Sequence, residues 1–238
     1  MVLRDINLYI PEGKVTAIVG VSGSGKTTLL KVLLKIHHQY EGEIRIGAVS
    51  NDSKQRGGLK FENIDNHLWR EMCGAVMQDG YIFNDSIARN IAVGQEEIIY
   101  SRLMSSCETA NILSFIESLP NGFFTKFGAE GVGLSQGQKQ RVLIARSVYK
   151  NPEYLFFDEA TNSLDANNEK EIVENLNNFF NGKTVIIAAH RLSTVRNADK
   201  IVVLEHGEIV EEGTHEELSK LKGKYYELVK NQLELGGN

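Results

Sequence analysis

The chain has 238 residues, 42% hydrophobic and 24% charged, a composition typical of one large or two small globular domains. Its net charge of −5, from 26 basic and 31 acidic residues, argues against a protein that binds nucleic acid by neutralising phosphates. No stretch approaches the roughly 18–20 apolar residues that cross a bilayer, and the two cysteines lack the spacing of a metal site.

The chain begins with two predicted strands and a helix. Ile6–Ile10 alternates apolar and polar residues, which predicts a half-buried strand. The β-branched run Val15–Val19 predicts a buried strand, and Thr28–Leu34 has the periodicity of a helix.

Between that strand and that helix lies a glycine-rich loop that fits G-x-x-x-x-G-K-[ST]. Its residues are Gly20, Val21, Ser22, Gly23, Ser24, Gly25, Lys26 and Thr27. Glycines let backbone N–H groups approach phosphate oxygens, and the helix N-terminus adds partial positive charge. Lys26 can bridge β- and γ-phosphates, and the Thr27 hydroxyl can ligate Mg²⁺. A phosphate-binding loop is therefore predicted in preference to an accidental glycine-rich turn.

The next segment alternates short strands with polar loops. Glu41–Gly47 predicts a turn and a strand, and residues 50–58 predict an exposed loop. Cys73–Gln78 predicts a strand that ends in a polar amide, which could reach a bound ion or lie on the surface. Ile98–Leu119 has the pattern of one long helix, and Cys73 and Cys107 suit a reducing compartment as free thiols.

A second glycine-rich element, Gly131–Gln138, precedes a predicted helix over Lys139–Tyr149. A serine hydroxyl and backbone amides at a helix N-terminus can hold an anionic oxygen. The same residues also serve as ordinary helix caps, so this pattern alone leaves both interpretations open.

Tyr154–Glu159 is an apolar run that ends in two acids, Asp158 and Glu159. A continuous apolar strand indicates a parallel sheet covered on both faces, and ligands of such sheets bind at the carboxyl ends of the strands. Both acids and the phosphate loop fall at such ends. One acid can hold Mg²⁺ while the other polarises a water, although acids also end many strands without a function.

The last third of the chain repeats this arrangement of helix and strand. A helix capped at Thr161–Asp165 is predicted to run through Phe180, followed by a strand over Thr184–Ala189 with His190 at its end. A hairpin of Ile201–Leu204 and Glu208–Val210 and an amphipathic helix over Thr214–Leu235 are predicted to complete the chain.

From end to end, residues 1–238, these motifs resemble the nucleotide-binding domain of ABC transporters, in that family's order. The matching segments are Walker A at Gly20–Thr27, the Q-loop at Gln78, the signature at Leu134–Gln138, Walker B at Leu155–Asp158 with Glu159, the D-loop at Ser163–Asp165 and the switch histidine His190. The resemblance implies an α/β P-loop NTPase fold with a mainly parallel core sheet flanked by helices. It also implies an antiparallel β subdomain and an inserted helical subdomain within about residues 80–150.

The resemblance implies ATP and Mg²⁺ as ligands and assigns a role to each matching residue. Catalytic roles fall to Glu159 as the base, His190, Lys26 and Gln78, and the implied Mg²⁺ ligands are Thr27, Gln78 and Asp158. ATP contacts are implied for Gly20, Val21, Ser22, Gly23, Ser24, Gly25, Lys26, Thr27 and Thr28 in one copy and for Ser135, Gly137, Gln138 and Asp165 in a second copy.

The implied assembly is a head-to-tail homodimer that ATP closes and hydrolysis opens, with no nucleic-acid partner. Asp79–Ile91, His190–Val195 and Gly213–Leu218 resemble exporters, whose membrane domains usually belong to the same polypeptide. The chain is therefore expected at the cytoplasmic face of the cell membrane. Peptides with double-glycine leaders, such as bacteriocins, are the expected cargo. Lipid or drug export, or a dimerising module without transport, remains an alternative.

Three departures from the family pattern accompany this resemblance. The adenine-stacking aromatic residue expected upstream of Walker A is missing, so the chain resembles an excised domain with weakened ATP affinity. The signature carries Gln136 where glycine is common, and function is expected to survive because Ser135 and Gly137 remain. Ala129 stands where exporters often carry a glutamate.

Overall fold

The structure is a computed structural model that describes residues 2–47, 57–127, 133–160, 166–189 and 195–235, without the side chains of 166–169 and 232–235. Six strands form the main sheet in the order β4-β5-β6-β1-β7-β8. They are β1 (Val15–Val19), β4 (Cys73–Val76), β5 (Tyr154–Asp158), β6 (Thr184–Ala188), β7 (Lys200–Glu205) and β8 (Glu208–Gly213). All pairs are parallel except the β7–β8 hairpin.

The central strands are buried on both faces because their residues are apolar in succession rather than in alternation. In β5, Leu155 and Phe157 join one core cluster while Phe156 joins the other. Strand β1 divides in the same way, with Ala17 on one side and Ile18 on the other. The sheet therefore separates two hydrophobic cores, as a sheet covered by helices requires.

Helices cover both faces. They are α1 (Lys26–Leu33), α2 (Asn66–Met72), α3 (Ile87–Ile91), α4 (Tyr100–Thr109), α5 (Leu113–Ser118), α6 (Gln136–Lys150), α7 (Ala166–Phe179), α8 (His215–Leu221) and α9 (Lys224–Leu235). Helices α1 and α2 pack on one core with a small antiparallel sheet, β2 (Arg45–Ile46) and β3 (Leu59–Lys60). Helices α3 to α9 contribute to the other core. The predicted fold class is confirmed, including the antiparallel β portion and the helices inserted between β4 and β5.

The predicted strand at Ile6–Ile10 is wrong. Its alternation is real, since Ile6, Leu8 and Ile10 are half-buried against the α1-side core, but the segment joins neither sheet. One backbone carbonyl of this segment is hydrogen-bonded to a side chain instead: the Lys200 ammonium donates to the Tyr9 carbonyl over 2.8 Å.

Two predicted long helices are each broken by one residue in the left-handed region. The helix expected over Ile98–Leu119 is interrupted at Asn111, where φ is +49°, and continues as α5. The helix expected over Thr214–Leu235 is interrupted at Lys222, where φ is +54°. There the Glu211 carboxylate accepts hydrogen bonds from the first amides of α9, which starts a new helix.

The carboxyl ends of β1, β4, β5 and β6 meet along one edge of the main sheet, because these strands are parallel. The described part of the chain includes no helix with the length and apolarity to cross a membrane.

Candidate functional site

The phosphate loop, residues 20–27, follows β1 at this edge and begins at a crowded glycine. A Cβ atom at Gly20 would lie 2.1 Å from the Leu204 carbonyl oxygen and 2.7 Å from the Ser24 hydroxyl. Gly25 has a φ of +110° and caps α1 without a side-chain hydrogen bond. Glycine is therefore required at position 20 by the neighbouring strand β7 and at position 25 by the positive φ.

Helix α1 presents an unneutralised N-terminus to the loop. Its first turn contains no acidic residue, and no side chain caps its first amides. These N–H groups and the helix dipole give the loop a positive potential. The arrangement suits an anion such as phosphate.

Lys26 is buried, with 4% of its surface exposed, and its ammonium donates to two carbonyls of the loop itself. The acceptors are Gly20, at 2.8 Å, and Val21, at 3.0 Å. Burial lowers the pKa of Lys26, and the carboxylates of Glu159 and Asp158 oppose that shift. The cation is thus held inside the loop, with acidic neighbours that favour its charge.

Asp158 ends β5 beside the loop and is 1% exposed. The Thr27 hydroxyl donates to its Oδ1 over 3.1 Å, while its Oδ2 is buried without a hydrogen-bond partner. Burial raises the pKa of Asp158, assisted by Glu159 and opposed by Thr27 and the nearby lysines. A buried carboxylate oxygen without a partner is costly, and a bound cation is the kind of ligand that would satisfy it.

Glu159 follows in the left-handed region, with a φ of +52°, and its side chain is half-buried. Such a conformation costs a non-glycine residue roughly 1–2 kcal/mol. Two hydrogen bonds hold its backbone there: its N–H donates to the Ala188 carbonyl at 2.9 Å, and its carbonyl accepts from Gln140 at 3.0 Å. The two neighbouring acids therefore have different environments, since Asp158 is buried and Glu159 is half-buried.

Gln78 lies outside its predicted strand, because β4 ends at Val76. It is exposed, in a turn that the Gly80 N–H closes on the Met77 carbonyl. Val76 pairs with Phe157, so the turn lies at the same edge as the two acids, one strand away.

The signature residues, Ser135 to Gln138, form the N-terminus of α6. Ser135 Oγ accepts from the Gln138 N–H at 3.2 Å, and Gln138 Oε1 accepts from the Ser135 N–H at 2.9 Å. This is a complete capping box. Ser135 and Gln136 are exposed, and Gly137 is partly buried. The structure thus confirms the capping interpretation, with Ser135 and Gln136 facing solvent in the single chain.

The predicted features that lie outside the described residues are Asp165 with the rest of the helix cap at 161–165, His190 with residues 191–194 of the exporter-like stretch, the Ala129 departure, residues 50–56 of the expected loop, and Gly131 and Val132. Among the remaining site residues, the structure brings Lys26, Thr27, Asp158 and Glu159 together, with the half-buried Thr28 on the first turn of α1.

Gln140 is a site residue that sequence reasoning missed. Its side chain connects α6, the helix that the signature begins, to the backbone of Glu159. The available signal was its spacing, since it precedes the buried Leu143 by three residues and therefore shares the inward face of α6.

Residues 3–162 match the family described as ABC transporter. The chain is 42% identical over 236 residues to the heterocyst differentiation ATP-binding protein HepA of Nostoc sp., covering 99% of this chain and 37% of that protein. It is 44% identical over 228 residues to the ATP-dependent lipid A-core flippase of Alkalilimnicola ehrlichii, covering 95% of this chain and 37% of that protein.

Among solved structures, the chain matches one titled "Structure of a bacterial Atm1-family ABC exporter with ATP bound". The TM-score is 0.87 at 35% identity, covering 97% of this chain and 39% of that chain. The chain therefore spans less than two fifths of each of these three proteins.

Proposed function

The chain belongs to the ABC transporter family, as an ATPase domain of the exporter type, and we propose that it powers export across a membrane by binding and hydrolysing ATP. One observation carries the proposal most directly. The Thr27 hydroxyl of a phosphate loop donates to Asp158, whose second oxygen is buried and without a partner, beside Lys26 and Glu159. This one place could bind a cation and a phosphate chain, and it supplies a carboxylate that can activate a water.

Phosphate binding would use a lysine, backbone amides and a hydroxyl that already lie in the loop and the first turn of α1. Lys26 would exchange the carbonyls of Gly20 and Val21 for oxygens of the β- and γ-phosphates. The amides of residues 21–27 and the Thr28 hydroxyl would donate to the remaining phosphate oxygens. Because these donors belong to the loop and to α1, little reorganisation is needed beyond the movement of the lysine.

The residues present fit Mg²⁺. Among the described residues, no group of three or more His, Cys, Asp or Glu side chains is placed to hold a metal ion by itself. A divalent ion here would depend on Asp158, Thr27, Gln78 and the oxygens of the nucleotide, which is the oxygen-only set that Mg²⁺ prefers. When bound, Mg²⁺ would neutralise phosphate charge and orient the β- and γ-phosphates.

Glu159 is the proposed general base. It would accept a proton from a water whose oxygen attacks the γ-phosphorus, while the bond from that phosphorus to the β–γ bridging oxygen breaks. The left-handed backbone, held by Ala188 and Gln140, would fix where the carboxylate can reach. His190 would contact the γ-phosphate, and the exposed Gln78 would report the state of the site to a neighbouring domain.

A second copy would complete each site. Ser135 is exposed and Gly137 and Gln138 are partly exposed at the N-terminus of α6, where they could meet the γ-phosphate held by the partner. Asp165 would signal across the same interface. The proposed assembly is a head-to-tail homodimer that ATP closes.

The proposed location is the cytoplasmic face of a membrane, with membrane domains on the same full-length polypeptide. This rests on the exporter-type relatives, of which the chain spans only a part. The expected peptide cargo has no support from the names of the relatives. One of them is a lipid A-core flippase, so a lipid is the better-supported cargo, with a peptide retained as the alternative.

The proposal is tested by phosphate release from the purified chain with ATP, with and without Mg²⁺. We expect Mg²⁺-dependent turnover that rises more steeply than linearly with protein concentration, because two copies are needed for each site. Turnover without Mg²⁺, or binding without any hydrolysis at high protein concentration, would contradict it. For the full-length transporter, stimulation of turnover by a lipid but not by a leader peptide would decide the cargo.

A further inference from the structure

The turn between β7 and β8, residues 205–208, lies directly against the phosphate loop. The Gly207 N–H donates to the Ser24 carbonyl over 3.0 Å. Just before this turn, the Leu204 carbonyl lies so close to Gly20 that a Cβ atom there would approach it to 2.1 Å. Two positions of the loop therefore rest on one hairpin, although about 180 residues separate them in sequence.

The N-terminal segment covers the other side of this turn. The Arg4 N–H donates to the Gly207 carbonyl over 2.8 Å, and the Arg4 guanidinium reaches the His206 carbonyl at 3.4 Å. A Cβ atom at Gly207 would lie 2.0 Å from the Val2 carbonyl oxygen. A Cβ at Gly25 would lie 2.7 Å from Leu3 Cδ2. Residues 2–4 thus pack against both the hairpin and the phosphate loop.

Gly207 is a link in a chain of backbone hydrogen bonds. It accepts from Arg4 and donates to Ser24, and its φ of +83° suits glycine. The Ser24 carbonyl and the Gly25 N–H belong to one planar trans peptide, so they point in opposite directions. A hydrogen bond that fixes the Ser24 carbonyl therefore also fixes the direction of the Gly25 N–H.

We infer that Gly207 is a positioning residue for nucleotide binding. The turn, which residues 2–4 hold in place, orients the backbone amides of the phosphate loop before ATP binds. The inference rests on the proposed function, because it assumes that these amides bind the phosphates of ATP. Fixing the loop before the ligand arrives lowers the ordering cost of binding. Gly207 acts through Ser24 and contacts no nucleotide itself.

The test compares Gly207→Ala with Gly182→Ala. Both glycines have positive φ, +83° and +76°, so each substitution adds comparable backbone strain, but a Cβ at Gly182 has nothing within 4 Å. Gly207→Ala should lose more thermal stability than Gly182→Ala, because its Cβ atom must also displace the Val2 carbonyl, which would lie 2.0 Å away. In calorimetric titrations with Mg²⁺ and ATP, Gly207→Ala should bind about tenfold more weakly or worse, and Gly182→Ala within about twofold of wild type.

A second pair keeps the inference testable if Gly207→Ala fails to fold. Leu3 and Leu8 are both half-buried against the same core; Leu3 Cδ2 lies beside Gly25 of the phosphate loop, and Leu8 lies five residues further along the chain. Leu3→Ala should weaken ATP binding several-fold, and Leu8→Ala should leave it unchanged. Wild-type affinity in both Gly207→Ala and Leu3→Ala, or equal losses in the controls, would overturn the inference. Failure of the wild-type chain to bind ATP would instead refute the proposed function.

Discussion

The phosphate loop and the signature residues are both glycine-containing elements at helix N-termini, yet they differ in how they are packed and hydrogen-bonded. The loop is packed between β7, the N-terminal segment and α1, and its lysine is buried. The Ser24 hydroxyl within the loop and the buried Oδ2 of Asp158 beside it lack hydrogen-bond partners. The signature residues are instead exposed or partly exposed, and Ser135 and Gln138 satisfy each other's hydrogen-bonding groups.

This contrast divides the proposed ATP site into two halves. The loop half is residues 20–27 with Asp158 and Glu159, and the signature half is Ser135 to Gln138. The loop half has buried polar atoms without a hydrogen-bond partner, which a bound ligand would satisfy, so its proposed capacity to bind belongs to one chain. The signature half is stable as it stands, because a capping box already satisfies its helix end. Its proposed role in ATP chemistry therefore depends on a second copy that brings a γ-phosphate to it.

The largest expected effect is on turnover. Glu159→Gln should lower kcat by about 10²–10⁴-fold, the contribution of a general base, while ATP binding persists. Because hydrolysis opens the proposed dimer, the variant should also accumulate as an ATP-bound dimer on a sizing column. Glu153→Gln, an exposed change just before the other end of β5, is the matched control. Normal turnover in Glu159→Gln would remove this residue from the mechanism.

The next effect concerns the loop half alone. Lys26→Ala removes a buried cation that would pair with phosphate, and it should weaken ATP binding by about a hundredfold. Lys14→Ala is the control, since Lys14 forms only an exposed ion pair of 3.2 Å with Asp199 and should change binding little. Tight ATP binding by Lys26→Ala in calorimetry would contradict the phosphate-loop assignment.

The signature half should respond differently. Ser135→Ala should cost about 1 kcal/mol of unfolding free energy through the lost cap and should also abolish ATP-dependent dimerisation. ATP binding to the monomer should stay within about twofold, because the loop half is untouched. Thr214→Ala is a matched control: Thr214 and Glu217 form the same capping box on α8, which follows β8 at the edge of the main sheet opposite the phosphate loop.

If Thr214→Ala also abolished dimerisation, general loss of stability would explain the result. If Ser135→Ala dimerised normally with ATP, the signature residues would have no role beyond capping. Light scattering of each variant at one protein concentration measures both outcomes.

The smallest expected effect is a gain in stability. Burial raises the pKa of Asp158 above its ordinary 3.8, so the folded protein binds this proton more tightly than the unfolded chain. The stability that this proton gives is present below pH 3.8 and is lost as pH rises through the folded pKa. Asp158→Asn should therefore raise Tm at pH 7, by about 2–4 °C per kcal/mol relieved.

This gain should shrink as pH falls toward 5, and Mg²⁺-dependent ATP binding should weaken in the same variant. Thermal unfolding of wild type and variant across pH 5–8 measures the slope. A lower Tm of Asp158→Asn at pH 7 would show that the ionised carboxylate stabilises the free chain.

Local sequence patterns predicted the parts of the site that depend on neighbouring residues. The phosphate loop, the paired acids and the cap at Ser135 each follow from residue type and spacing alone. The breaks at Asn111 and Lys222 could not be foreseen, because any of several polar residues tolerates the left-handed region and tertiary contacts choose which one. The contact of Gly207 with Ser24 joins distant parts of the chain, and no local pattern encodes it.

The most direct test of the two-half account is a mixing experiment. Lys26→Ala destroys the loop half and Ser135→Arg the signature half, so each variant alone should be inactive. Mixed in equal amounts, half of the dimers should be mixed and each should keep one intact site, which predicts recovery of about a quarter of wild-type ATP turnover. No recovery on mixing, or full activity of either variant alone, would contradict the account.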